Sequence, residues 1–147
     1  MEAKGSDVFR SRDGNGDYTP LHFAAKSHTS VVELLLRKGA SVQARGRYEY
    51  TPLHLAAGSG HTSIVELLLA KGASIEALSP WGISPLHLAA ENGRTSTVEL
   101  LLAKGASIDT VNMWERTPLD EAERGGHTDT AKLLKKKAAE GVRNNES

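Results

Sequence analysis

Thr51 to Ala73 reads TPLHLAAGSGHTSIVELLLAKGA, and close copies of its opening recur along the chain. TPLHFAA begins at Thr19, SPLHLAA at Ser84 and TPLDEAE at Thr117, which sets steps of 32, 33 and 33 residues. A fixed period in the low thirties marks a chain built of stacked units. Each part of the stretch has a local reason. Thr51 suits a helix N-cap and Pro52 the first helical position, where no amide donor is needed. Leu53, Ala56 and Ala57 give a first helix with a small-residue side that a neighbour can approach closely. Gly60 permits a tight reversal. Ile64, Val65, Leu67 and Leu68 then space out one broad apolar face on a second helix. Ser63 with Glu66 is expected to form a capping box there, as are Ser30 with Glu33 and Ser96 with Glu99. Lys71 falls in the last turn, where the helix dipole favours a cation, and Gly72 ends the helix. One such unit cannot bury its own apolar face; a stack can.

TPLHLAA, followed by Gly-His or Gly-Arg and then VELLLAKGA, closely resembles the ankyrin repeat family. The resemblance runs from about Asp13 to Ala139. It implies an all-α repeat solenoid: helix–turn–helix pairs linked by projecting β-hairpin loops. It also implies a function, the binding of other proteins without chemistry. Four repeats are expected, at about 17–45, 46–78, 79–111 and 112–141, the last serving as a C-terminal cap.

The 147 residues fit one domain, which four repeats fill. Eighteen basic residues balance eighteen acidic ones, so the basic excess of a general nucleic-acid or anionic-membrane binder is missing. With no cysteine there is no disulfide framework, thiolate metal site or thiol nucleophile. No apolar run approaches a membrane span, and MEAKGSD lacks the apolar core of a secretory signal. A cytoplasmic or recombinant protein is the expectation.

The two ends depart from the pattern. Residues 1–16 are polar apart from Val8 and Phe9, a pair expected to fold back over repeat one as a partial cap. Repeat one lacks the interhelical glycine and is one residue shorter there than repeat two. Its uncovered apolar side makes weak self-association of an otherwise monomeric chain an expectation. In repeat four, Asp120, Glu121 and Glu123 replace His, Leu and Ala, and Lys132, Lys135, Lys136 and Lys137 crowd the second helix. A last unit needs such a polar outer face. Residues 142–147 read as a disordered polar tail.

The aromatic residues carry the functional reading. Five of the seven (Tyr18, Tyr48, Tyr50, Trp81 and Trp114) fall in the loops ahead of the TPLH-type motifs, where exposure is expected. Large rings at loop tips, interleaved with Arg45, Arg47, Met113 and Arg116, are the composition of an interface centre. The alternative is that the rings pack along the row of loops and hold neighbours together. The family pattern has glycine two residues before the Thr of TPLH. Gly82 keeps it, whereas Asp17, Glu49 and Glu115 do not, and positive φ costs a non-glycine about 1 kcal/mol. On the first helices the exposed pairs Lys26-Ser27, Gly58-Ser59, Glu91-Asn92 and Arg124-Gly125 extend the same surface. Gly58 there either leaves room for a partner or marks an early helix end. The candidate partner-binding residues are therefore Arg47, Tyr48, Tyr50, Trp81, Ile83, Met113, Trp114 and Arg116 on the loops, with Ser59, Glu91 and Asn92 on the helices. The varied loops on near-identical frameworks also resemble designed ankyrin repeat binders.

Catalysis and metal binding find little support. His22, His54 and His87 recur with the period, so they form a ladder and do not converge on a metal. In the family such histidines bond the loops of neighbouring units. His61 and His127, after the interhelical glycines, read as structural, with side chains bonded to backbone. Gly58-Ser59-Gly60 follows no strand and lacks the rest of a phosphate-loop signature. No catalytic set, metal site or cofactor site is expected. A scaffold without a selected partner is the alternative to a binding module, and an enzyme would need a pocket near Trp81 and Trp114.

Overall fold

The structure, a computed structural model, describes residues 18–146. The expectations for residues 1–16, the folding back of Val8 and Phe9, and the conformation of Asp17 lie outside them. Among the described residues eight α-helices are formed: α1 (Pro20–Ala25), α2 (Thr29–Arg37), α3 (Pro52–Ser59), α4 (Thr62–Ala70), α5 (Pro85–Glu91), α6 (Thr95–Ala103), α7 (Pro118–Arg124) and α8 (Thr128–Glu146). They pair within units, and each unit packs on the next, inner helix on inner helix and outer on outer.

The inner helices α1, α3, α5 and α7 all start alike. Thr19, Thr51, Ser84 and Thr117 hold extended backbone ahead of proline, and each side-chain oxygen accepts the amide of the residue three positions on. That residue returns the bond. The Nδ1 atoms of His22, His54 and His87 accept the amides of Thr19, Thr51 and Ser84 at 3.1, 3.1 and 3.2 Å. In the last unit Asp120 Oδ2 does so at 2.9 Å. The capping boxes thus sit on the first helix of each unit, with histidine in the place usually held by Glu or Gln.

The boxes expected at Ser30, Ser63 and Ser96 do not form. The caps of α2, α4 and α6 are His28, His61 and Arg94, none with a side-chain cap bond. The cause is the tightness of the reversal. His61 N donates back to Ala56 O at 3.2 Å and Arg94 N to Ala89 O at 2.8 Å, so the second helix begins early and the serines fall inside its first turn. Left-handed Gly60, Gly93 and Gly126 make the reversal in three units. Repeat one makes it with Lys26–His28 and one residue fewer.

Stacking is closest along the inner helices, where the buried pairs Ala24-Ala25, Ala56-Ala57 and Ala89-Ala90 let backbones approach. Leu21, Leu53, Leu86, Val65, Leu68, Val98, Leu101 and Leu134 fill the space between the helix rows. The result is one continuous core in which every unit depends on its neighbours. No strand is assigned among the described residues, so the connecting loops are tight turns and not β-ladders.

α8 continues to Glu146, through most of the segment read as a tail, and Ser147 lies outside the described residues. Ala138, Ala139 and Glu140 favour helix. Gly141 costs the helix only about 1 kcal/mol, too little to end it alone.

Candidate functional site

Three loops present the candidate tips, residues 46–50, 79–83 and 112–116. All three are closed the same way. Gly46 N donates to Tyr50 O, Ser79 N to Ile83 O and Asn112 N to Arg116 O, at 2.9 to 3.0 Å. Inside each, Glu49 N, Gly82 N and Glu115 N donate back to the first residue's carbonyl.

The side chain at the first position then decides how firmly the tip is held. Ser79 Oγ accepts the amides of Trp81 and Ile83, both at 3.2 Å. Asn112 Oδ1 accepts those of Trp114 and Arg116 at 3.0 and 3.1 Å, and its Nδ2 donates to buried Glu121 at 2.8 Å. Gly46 has no side chain to offer. A Cβ there would lie 2.5 Å from Tyr18 Cδ1, because the Tyr18 ring stacks on His22 directly over this glycine. Without the brace, Tyr48 is in the left-handed region at φ 60°, ψ 18°.

Glu49 and Glu115 also adopt φ 60°, in register with Gly82 at φ 73°. The turns keep the glycine geometry after the glycine is gone, and the strain is real. Glu115→Gly is expected to stabilise the chain by about 0.5–1 kcal/mol, the left-handed penalty less glycine's entropy. A urea midpoint at or below that of the unaltered chain would contradict it.

Between loops, the main link is a histidine. His22 Nε2 lies 2.8 Å from Tyr50 O, His54 Nε2 2.8 Å from Ile83 O and His87 Nε2 2.9 Å from Arg116 O. Since each Nδ1 accepts an amide, the ring proton is on Nε2, which donates to the carbonyl of the following unit. Burial lowers the pKa of all three, that of His54 to about 4. The loops at 79–83 and 112–116 gain a main-chain bond, from Met113 N to Trp81 O at 2.9 Å. Pro80 stands in Met113's register position and has no amide hydrogen, so the loops at 46–50 and 79–83 cannot repeat it. There Arg45 Nη1 bridges Glu49 O and Leu78 O at 2.8 and 2.9 Å, and the Tyr48 and Trp81 rings pack at 5.6 Å.

The candidate residues divide accordingly. Tyr48, Met113 and Trp114 stand 48%, 60% and 50% exposed at the tips. Arg47 lies over the Tyr48 ring at 5.1 Å and half-buried Arg116 over Trp114 at 5.9 Å. Tyr50, Trp81 and Ile83 are half-buried. The Tyr50 ring stacks on His54 at 5.0 Å, and burial, then the Glu91 carboxylate, raise its phenol pKa. Glu91 and Asn92 are exposed and Ser59 half-buried on the inner helices. Gly58 does not end α3, which runs to Ser59. The room it leaves is used within the chain: Asn92 Nδ2 and Arg94 Nε both donate to Gly58 O, at 2.9 and 3.0 Å.

Sequence reasoning passed over Leu78 and Val111, both exposed apolar residues one position ahead of the tips. Their pattern resembles core, and only their register against Arg45 marks them as surface. The backbone bonds expected of the His61 and His127 side chains are not among the hydrogen bonds of the described residues. Those residues use their carbonyls instead, accepting from Val65 and Ala131. The described residues contain no group of three or more His, Asp or Glu able to hold a metal. No helix among them is long and apolar enough to cross a membrane. A groove of about 360 Å³ is lined by Glu66, Leu69 and Lys104 among others, and one of about 320 Å³ by Glu123, His127 and Lys135. Neither reaches Trp81 or Trp114.

This architecture of capped helix pairs, stacked through alanine and tied by histidine, defines an ankyrin-type solenoid. A family model described as ankyrin repeats (3 copies) matches residues 3–79 and 75–145. The chain belongs to the ankyrin repeat family, whose members are generally protein–protein interaction modules. It is similar to an ankyrin repeat protein of Rickettsia bellii (strain RML369-C), with 51% identity over 39 residues. That match covers 26% of this chain and 16% of the relative, so the chain spans only a small part of the relative's length.

Proposed function

We propose that the chain is a non-catalytic binding module that receives a protein partner on its loop tips and inner helices. The observation that carries this reading is the exposure of Tyr48, Met113 and Trp114 on turns closed by their own hydrogen bonds. Large side chains held out on ordered backbone lose little entropy on binding and are the usual anchors of an interface. Arg47, Arg116, Glu91 and Asn92 supply a polar surround. Near-identical frameworks carrying different tips fit contacts that were selected, by evolution or by engineering.

A partnerless scaffold is favoured by one observation, the packing of Tyr48 against Tyr50 and Trp81 at 5.8 and 5.6 Å. That packing explains Trp81 and leaves Met113 and Trp114 unexplained.

The test is affinity capture from a broad protein mixture with the unaltered chain beside a Tyr48→Ala, Met113→Ala, Trp114→Ala variant. Circular dichroism checks that both are folded. A captured protein, once identified, is expected to bind the variant at least about thirtyfold more weakly, the scale of a hot-spot loss of about 2 kcal/mol. Equal affinity for both would place binding elsewhere. No capture by the unaltered chain would favour the scaffold.

A further inference from the structure

Among the described residues nothing covers the N-terminal face of repeat one. Val31 on α2 is 43% exposed, while Ile64, its counterpart on α4, is 0% exposed. Leu34 is likewise 43% exposed, whereas its counterpart Leu67 is half-buried against the core. The difference has one source. Ile64 and Leu67 belong to a helix that packs on the outer helix of the preceding unit, and α2 lacks such a neighbour among the described residues.

The start of the sequence carries what the preceding unit would end with. Ala3-Lys4-Gly5-Ser6-Asp7-Val8 matches Ala70-Lys71-Gly72-Ala73-Ser74-Ile75 and Ala103-Lys104-Gly105-Ala106-Ser107-Ile108. Lys4, Lys38, Lys71 and Lys104 follow at steps of 34, 33 and 33 residues. In the described copies this pattern has a fixed form. Gly39, Gly72 and Gly105 take φ of 98°, 97° and 100°, and Val42, Ile75 and Ile108 pack on the core. The family match also begins at residue 3, well ahead of the first TPLH-type motif.

We propose that residues 1–8 are the occupant of this face, docking on α2 as the closing end of a further unit. Val8 takes the place that Val42 holds ahead of repeat two. Met1 falls in register with Leu35, Leu68 and Leu101 and supplies the second apolar contact against Val31 and Leu34.

The test compares the full chain with a Val8→Asp variant and with a chain lacking residues 2–8, by amide hydrogen exchange and by molar mass in solution. Both changes are expected to speed exchange across α2 about tenfold through easier local opening, with little change in α5 to α8. Exchange across α2 that stays the same in both would overturn the proposal. So would a dimer of the full chain that survives removal of residues 2–8 and is lost with Val31→Asp, since a second copy would then cover the face. The proposal is independent of partner binding, so either reading can fail without the other.

Discussion

His54→Ala is expected to lower the stability of the chain by about 3 kcal/mol or more. The ring is fully buried and joins three pieces of structure. Its Nδ1 accepts the Thr51 amide at 3.1 Å, and its Nε2 donates to Ile83 O of the next loop at 2.8 Å. Alanine strands the Thr51 amide, at about 1–3 kcal/mol when buried without a partner, and takes from Ile83 O one of its two donors, leaving Ser79 N. A cavity where the imidazole stood adds to that. His28→Ala is the natural control, because His28 is exposed and makes no side-chain cap bond; it is expected to stay within about 0.5 kcal/mol. Urea unfolding of both variants decides the matter. A His54 variant no less stable than the His28 variant would remove the ladder from the account of stability.

Acid is expected to weaken the fold well before its carboxylates protonate. The histidines are held neutral by burial, His54 down to about 4 from its ordinary 6.5. The unfolded chain therefore takes up a proton that the folded chain refuses, and the stability contribution, complete above pH 6.5, is lost as pH falls from there toward 4. For His54 alone the loss is on the order of 3 kcal/mol. His22 and His87 shift in the same direction and add to it. The geometry gives the reason: a protonated ring cannot accept at Nδ1, where the Thr51 amide points. Urea midpoints measured from pH 7.5 to 4.5 should fall, and a His54→Gln variant should show a shallower fall, since glutamine does not titrate. A flat profile would mean that the buried rings charge freely.

The two predictions concern the part of the molecule most legible in the sequence. TPLH at a fixed step is enough to place the inner helices, their caps and the histidine ladder, because each residue there answers a requirement of its own backbone. The second-helix caps were not legible. Whether Ser63 caps a helix depends on where the reversal at Gly60 releases the chain, and that follows from a bond between His61 N and Ala56 O that no local pattern displays. The placement of the candidate residues was legible in the same uneven way. Tyr48, Met113 and Trp114 stand out at the tips, as their loop positions imply. Tyr50, Ile83 and Arg116 are drawn inward because their carbonyls serve the histidine of the preceding unit. Gly58 faces neighbouring side chains, which only the stack could reveal. Tyr48 at positive φ was hidden for a similar reason, since it depends on Gly46 and hence on a ring contributed from Tyr18.

The histidine ladder ends on carbonyl oxygens, which every residue possesses. Tyrosine, isoleucine and arginine occupy the three accepting positions, and the bond is 2.8 to 2.9 Å in each case. The joint between units is therefore blind to the identity of the side chain that stands on it. Such a joint works as a standard fitting does, with interchangeable parts on one side and a fixed connector on the other. The hydrogen bond at each accepting position does not depend on the side chain there, so the surface these positions share can be varied while that connection beneath it stays the same.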